Sequence, residues 1–311
     1  MFSFVPRVSI PLAALSIIVG LSAAVQAAPI NMTEVRANSS FRSYTMDPTT
    51  GKYYEKSNYW TVTSLTEYAN KADFEAGISS GSIALNPSIN GPYVTINNGN
   101  LYARTTGAPN TAAVWNLGTG TTTAGPQQIG TIAGGNSFDW GGGSNGNFLQ
   151  DETGVYFLGS STGASSNLWE LHKVDANLNS TSSQTFDVTG ITGSAADTSP
   201  GFAMMMGGKL LIGKTYSQDI IAGILDFATG DLTISNLEVD GSWGGSSYWN
   251  STFYDSNDDV LYMNNTNTQR LYKVENAKAA FGITAVPEPG VLAIFGLGLA
   301  GIGYARRKRT V

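Results

Sequence analysis

Short apolar runs bounded by Gly, Asn, Asp and Ser recur along most of the chain, and four of them align without gaps around a turn. They are Y-V-T-I-N-N-G-N-L-Y-A (93–103), F-L-Q-D-E-T-G-V-Y-F-L (148–158), F-A-M-M-M-G-G-K-L-L-I (202–212) and F-Y-D-S-N-D-D-V-L-Y-M (253–263). Each starts on an aromatic, turns at Gly99, Gly154, Gly208 or Asp259, and resumes as an apolar strand. A weaker copy, Y-T-M-D-P-T-T-G-K-Y-Y, spans 44–54 with its aromatic displaced by one residue. The turns at 51, 99, 154, 208 and 259 stand 48, 55, 54 and 51 residues apart. Further apolar stretches follow several copies, among them N-L-W-E-L-H-K-V and Q-R-L-Y-K-V-E-N. Strand, tight turn, strand, loop, strand is a β-meander. A period near 50 residues matches one four-stranded propeller blade. The expected fold is therefore all-β, a β-propeller-like repeat body of about five blades over residues 28–284. A β-sandwich or solenoid, with partly accidental spacing, competes with it. The best helical candidate is short, E-Y-A-N-K-A-D-F-E-A at 67–76. Because a single blade hides a face only against neighbours, Phe148, Phe202 and Phe253 are expected at blade interfaces.

The two ends break this pattern. Met1 to Ala27 has Arg7 in a short first region, an apolar stretch from Leu12 to Val25, and Val25-Gln26-Ala27 as a small-x-small cleavage site. This predicts a signal peptide over 1–27, removed by signal peptidase. At the other end, residues 285–311 hold Val286-Pro287-Glu288-Pro289, an apolar stretch over 291–305 and the cations Arg306, Arg307, Lys308 and Arg309. Each proline fixes its own φ and pushes the preceding residue toward extended backbone. As a helix, 291–305 reaches roughly 22 Å, short of the ~30 Å hydrocarbon layer. It is expected as a short transmembrane helix with its basic tail inside and the body outside.

The ordered V-P-E-P motif, apolar run and R-R-K-R resembles the PEP-CTERM sorting signal of Gram-negative bacteria. The resemblance implies handling by an exosortase, a membrane-embedded protease or transpeptidase. It also implies passage across the inner membrane, a transient membrane tether, and delivery to the cell surface or extracellular matrix. Cargo of this kind accompanies exopolysaccharide, biofilm and floc formation. The same segment is also labelled an ice-binding-protein C-terminal domain, but the body has no sustained T-x-T ladder.

Composition narrows the chemistry. Of 311 residues only 13% are charged, below the roughly 25% usual for globular proteins. Without its two ends the body carries about −10, which argues against nucleic acid as a partner. There is no cysteine, so thiol catalysis and Cys-ligated metals are excluded. The one histidine, His172, lies in L-W-E-L-H-K-V on the face of Glu170, with no nucleophile motif beside it.

Trp140 opens W-G-G-G-S-N-G-N-F and Trp243 opens W-G-G-S-S-Y-W-N-S-T-F, 103 residues apart, about two repeat periods. With Asp139, Tyr248 and Trp249, and with Asn145 and Asn250 nearby, they form a candidate glycan platform; packing between blades is the competing role. D-S-N-D-D (255–259) resembles the start of a calcium loop but lacks its sixth-position Gly and twelfth-position Glu, so a hairpin turn is expected and no metal or other cofactor. Asp139 with Asp151 or Asp197 is the candidate carboxylate pair for glycoside cleavage. Met204, Met205 and Met206 are expected to fill core. Two functions stand: a non-enzymatic polysaccharide- or protein-binding module, and a secreted carbohydrate-active hydrolase or lyase on the same scaffold.

Overall fold

The computed structural model describes residues 30–283 apart from 38–41, 58–60, 106–111, 128, 130–146, 161–167, 193–201, 217–218, 241–248 and 266–267. It begins with β1 (Ile30–Asn31) and β2 (Thr33–Ala37). A seven-stranded sheet follows, of β3 (Ser43–Asp47), β4 (Lys52–Lys56), β5 (Val62–Tyr68), β6 (Gly81–Asn97), β7 (Asn100–Thr105), β8 (Ala112–Asn116) and β9 (Thr121–Gln127). Helix α1 (Lys71–Ala76) lies between β5 and β6. The next sheet is β10 (Asn147–Asp151), β11 (Gly154–Ser160), β12 (Leu168–Val174) and β13 (Ser180–Asp187), followed by α2 (Thr189–Thr192). Then come β14 (Phe202–Met206), β15 (Lys209–Tyr216), β16 (Asp219–Asp226) and β17 (Leu232–Asp240), with β1 added in parallel to β17. Finally β18 (Trp249–Asp255), β19 (Val260–Asn265) and β20 (Arg270–Glu275) take β2 as a fourth, antiparallel strand, and α3 (Ala277–Ala280) ends the described chain.

β6 is 17 residues long and serves two groups. Its first part pairs with β5, Gly81 opposite Glu67, and its last part pairs with β7, Asn97 opposite Asn100. The seven-stranded sheet thus consists of two four-stranded antiparallel groups joined through one strand. The whole body is a series of such groups, which makes it all-β, as expected. The turns fall at the expected residues because they need positive φ. Asn98 and Gly99 (φ 51° and 71°) make the two-residue turn whose twist suits a hairpin, and Gly207 and Gly208 (61° and 75°) do the same.

The gapless alignment of the repeats needs correction. The turns after β3 and β18 are four residues long, against two after β6, β10 and β14. Tyr44, three residues before Asp47, is therefore the counterpart of Phe148, three before Asp151. Phe253 is one position out of register with both.

Five apolar clusters lie between successive groups. One joins Tyr54, Leu65 and Ile89 to Ile96, Leu101 and Trp115. The second joins Tyr102 and Val114 to Phe148 and Phe157. The third joins Leu158, Trp169 and Leu171 to Met205 and Ile212. The fourth joins Phe202, Met204 and Met206 to Tyr254, Leu261 and Val274. The last joins Phe253 and Tyr262 back to Tyr44, Tyr53 and Tyr68. Phe148, Phe202 and Phe253 all sit between groups, and Met204, Met205 and Met206 are core, as the sequence implies. The first strand of each group touches the next in cyclic order: β3, β6, β10, β14, β18 and β3 again.

The expected helix at 67–76 is shorter, because β5 runs on through Tyr68. Asn70 caps it, its side-chain oxygen accepting from Asp73 N at 3.0 Å, and Gly77 ends it at φ 75°. Among the described residues no helix is long and apolar enough to cross a membrane. The expected signal peptide (1–27) and apolar helix (291–305) lie outside them.

Candidate functional site

The hydroxyl of Thr95 donates to the Phe148 carbonyl at 2.9 Å, and that of Thr252 to the Ala203 carbonyl at 3.3 Å. Ile96 N donates to Thr45 Oγ1 at 3.3 Å, and Gln150 Nε2 reaches the Met46 carbonyl. These links join strands at matching heights, so the five first strands run the same way. Together they line a cavity of about 20 Å3, whose wall includes Thr45, Thr95, Gln150, Met205 and Thr252. That volume holds a water or two. Gln150 Oε1, buried on this wall, has no hydrogen-bond partner among the described residues.

The strand ends define two different ends of the body. At the turn end, three buried carboxylates clasp the neighbouring group. Asp47 accepts from Thr49 N in its own turn and from Asn98 N and Gly99 N in the next, at 3.0–3.1 Å. Asp151 accepts from Thr153 N at 2.8 Å and from Gly208 N of the next group at 2.7 Å. Asp255 accepts from Asn257 N at 3.0 Å and from the Tyr53 hydroxyl of the first group. Burial pushes the Asp151 and Asp255 carboxyls above the usual range, against the pull of these donors. Asp151 belongs to this clasp, with both oxygens engaged, and its expected carboxylate partner Asp139, like the alternative Asp197, lies outside the described residues. Asp151→Asn places an amide where two N–H groups point and should cost about 1–3 kcal/mol, measured by urea unfolding. An unchanged midpoint would remove the clasp.

D-S-N-D-D is a hairpin turn, as its missing calcium ligands imply. Asp259 there sits at φ 53° and accepts from the Tyr254 hydroxyl (2.9 Å) and Lys278 N (3.0 Å). His172 and Glu170 share a face of β12, with His172 Nε2 3.1 Å from Glu170 Oε2 and Nδ1 2.9 Å from Ser180 Oγ on β13. The histidine is thus held by two polar neighbours on its strand surface.

The opposite end, where the first strands begin, gathers buried polar side chains that the sequence does not single out. Ser43 and Lys56 face each other across the start of β3 and the end of β4, exposed 3% and 0%. Arg104 closes the buried part of β7, and Asn264 and Asn265 end β19. Asn264 Nδ2 donates to the Arg42 carbonyl at 3.3 Å, and Arg42 itself pairs with Glu55. Burial pulls the Lys56 ammonium down to about 7. Trp249 starts β18 opposite Asn265, which places this candidate residue's backbone at the same end. Its side chain, and Asp139, Trp140, Asn145, Trp243, Tyr248 and Asn250, lie outside the described side chains, as do Val286, Pro287, Glu288, Pro289, Arg306, Arg307, Lys308 and Arg309. Only the polar run N-N-T-N-T-Q (264–269), which begins with the last two residues of β19, marks this end in the sequence. Lys56 and Arg104 look like ordinary strand cations.

An all-β body whose successive groups pack around shared first strands, followed by a separate C-terminal motif, defines a repeat-built domain with a sorting segment. The family model of the olfactomedin-like domain matches residues 24–279, and the chain belongs to that family, a β-propeller-type extracellular domain. The PEP-CTERM protein-sorting motif matches residues 285–309, as the C-terminal pattern implies; ice binding finds no support. No curated protein matched the chain.

Proposed function

We infer that this is an exported surface or matrix protein whose body is a five-bladed β-propeller binding polysaccharide or protein without catalysis. The observation that carries the body's architecture is the cyclic packing of β3, β6, β10, β14 and β18 around one cavity, with an apolar cluster between each pair of groups. On this reading β1 adds a fifth strand to the fourth blade and β2 completes the fifth, so these first two strands close the ring. Residues 1–27 are the export leader, 28–284 the propeller, and 285–311 the signal an exosortase recognises. The apolar stretch 291–305 is the transient tether in the inner membrane of a Gram-negative bacterium.

The binding end is the one where the first strands begin. Lys56, Arg104, Asn264 and Asn265 are buried there, and the backbone of Trp249 starts β18 at the same end. Tryptophan faces suit sugar rings, and buried cations and amides suit carboxylate and hydroxyl groups. The test is retention of cells' matrix polysaccharide by the purified body with Trp140→Ala and Trp243→Ala. Together they should lower retention at least tenfold with an unchanged melting midpoint. Full retention by the folded double variant would remove the glycan platform.

A further inference from the structure

Asp47 grips a turn whose sequence is chemically labile. At the junction of the first and second groups its Oδ1 accepts from Asn98 N at 3.1 Å and its Oδ2 from Gly99 N at 3.0 Å. Leu117 N donates to the Gly99 carbonyl at 3.0 Å, which ties the same turn to the residue after β8. An Asn followed by Gly can lose its amide spontaneously, because no side chain on Gly hinders the next nitrogen from reaching the carboxamide carbon. Water has access here: Asn98 is exposed, and the position a side chain on Gly99 would take is open. Two features of the closed turn oppose the reaction. At φ 51° Asn98 is left-handed, which sets its Cβ and Gly99 N nearly anti across the Cα–C bond, so Cγ cannot reach that nitrogen. The Gly99 N–H is also committed to a carboxylate, whose charge opposes removal of the proton. The equivalent clasp by Asp151 grips Gly208 N in the Gly207-Gly208 turn, which has no amide to lose.

We propose that Asn98–Gly99 is a deamidation site, kept latent by the Asp47 clasp and released when the junction of the first and second groups opens. With the turn open, Gly99 N gives up its proton and attacks Asn98 Cγ. The carboxamide C–N bond breaks and ammonia leaves with that proton, giving a five-membered succinimide. Water then adds to either ring carbonyl and opens the ring to aspartate or isoaspartate. The product carries one more negative charge, and isoaspartate places an extra carbon in the backbone. Either change opposes reclosure, because Asp47 is itself a carboxylate and its contacts need the spacing of two adjacent N–H groups. A local opening thereby leaves a permanent mark on one junction.

The test follows replacement of amide by acid at residues 97–100, by mass spectrometry of peptides from the full chain kept in warm neutral buffer with and without urea. Without urea the wild type should convert at least tenfold more slowly than in urea. Asp47→Asn should convert at least tenfold faster than the wild type without urea. Asp151→Asn, which loosens the clasp between the third and fourth groups, should stay within about twofold of the wild type. Asn98→Ala in the Asp47→Asn chain should abolish the conversion, which assigns it to residue 98 rather than to Asn97 or Asn100. Protease resistance shows which variants are folded. If Asp47→Asn is not, Asp47→Glu is read in its place, since it keeps the charge but not the fit to two adjacent N–H groups. Equal wild-type rates with and without urea, or an Asp47 variant converting no faster than the wild type, overturns the proposal. So does equal acceleration in Asp151→Asn, or conversion that persists in Asn98→Ala.

Discussion

Lys56→Met should raise the thermal midpoint below about pH 7 and leave it little changed near pH 10. The sign follows from linkage. Burial holds the Lys56 pKa near 7, against 10.5 in the unfolded chain. Between those values the unfolded chain binds a proton that the folded chain does not, so wild-type stability rises with pH across that window. Below about pH 7 both states are charged and the full cost of the buried ammonium is expressed. The shift sets an upper limit of about 5 kcal/mol. Relaxation around a buried charge reduces such costs, and about 1–4 kcal/mol is the expected gain, or several degrees in a body of this size. Methionine keeps the unbranched shape of the lysine stem. Midpoints measured by calorimetry from about pH 6 to 10 decide it. A wild-type profile parallel to that of Lys56→Met would show that the lysine pays no burial cost.

A side chain that costs stability at neutral pH persists where it does something else. A buried, destabilising Lys56 therefore agrees with the binding role proposed for this end. It also shows what the sequence hides. K-Y-Y-E-K reads as a half-exposed strand with cations outside. In stacked groups both faces of a strand are covered, so Tyr53 and Glu55 face the last group while Tyr54 faces the second. Strand alternation then no longer separates inside from outside. Turn positions were legible because positive φ leaves few residue choices. The spacing of the first strands was legible because each group repeats one unit of burial.

Two features were not legible, and both are long-range. β1 and β2 complete sheets made some 200 residues later, and nothing local in I-N-M-T-E-V-R-A names those partners. The clasp of Asp47, Asp151 and Asp255 was equally hidden, since acidic residues at turns are ordinary. Only the distances from Asp47 to Asn98 and Gly99, and from Asp151 to Gly208, distinguish an inter-group clasp from a local turn.

Phe74→Ala should be among the most damaging single substitutions, and its damage should be local. The side chain is 0% exposed, although it comes from a six-residue helix in a connection between strands. Its ring stacks on Tyr53 at 4.8 Å and meets Tyr262 at 5.3 Å, Tyr44 at 5.4 Å, Tyr68 at 5.5 Å and Phe253 at 5.7 Å. The Arg36 guanidinium lies 5.1 Å over it and reaches Glu55, which also takes the Tyr68 hydroxyl at 2.6 Å. Tyr53, Tyr44 and Tyr68 belong to the first group, Phe253 and Tyr262 to the last, and Arg36 to the strand that completes the last. Phe74 is therefore a wedge in the seam between the last group and the first. These are joined in sequence by the short link from β2 to β3, whereas the first and second groups share the continuous strand β6, and the chain has no cysteine to bridge the seam. Truncation should cost about 3–5 kcal/mol, from the cavity and from lost ring contacts. Trp115→Ala, equally buried but between the first and second groups, should cost a similar amount. The two differ in where the body opens. Hydrogen exchange in Phe74→Ala should accelerate first in β2, β3 and β18, because the seam separates there, whereas Trp115→Ala should leave those strands protected up to the global transition. Equal exchange patterns in the two variants would mean that the seam is no weaker than any other junction, and that Phe74 is ordinary core.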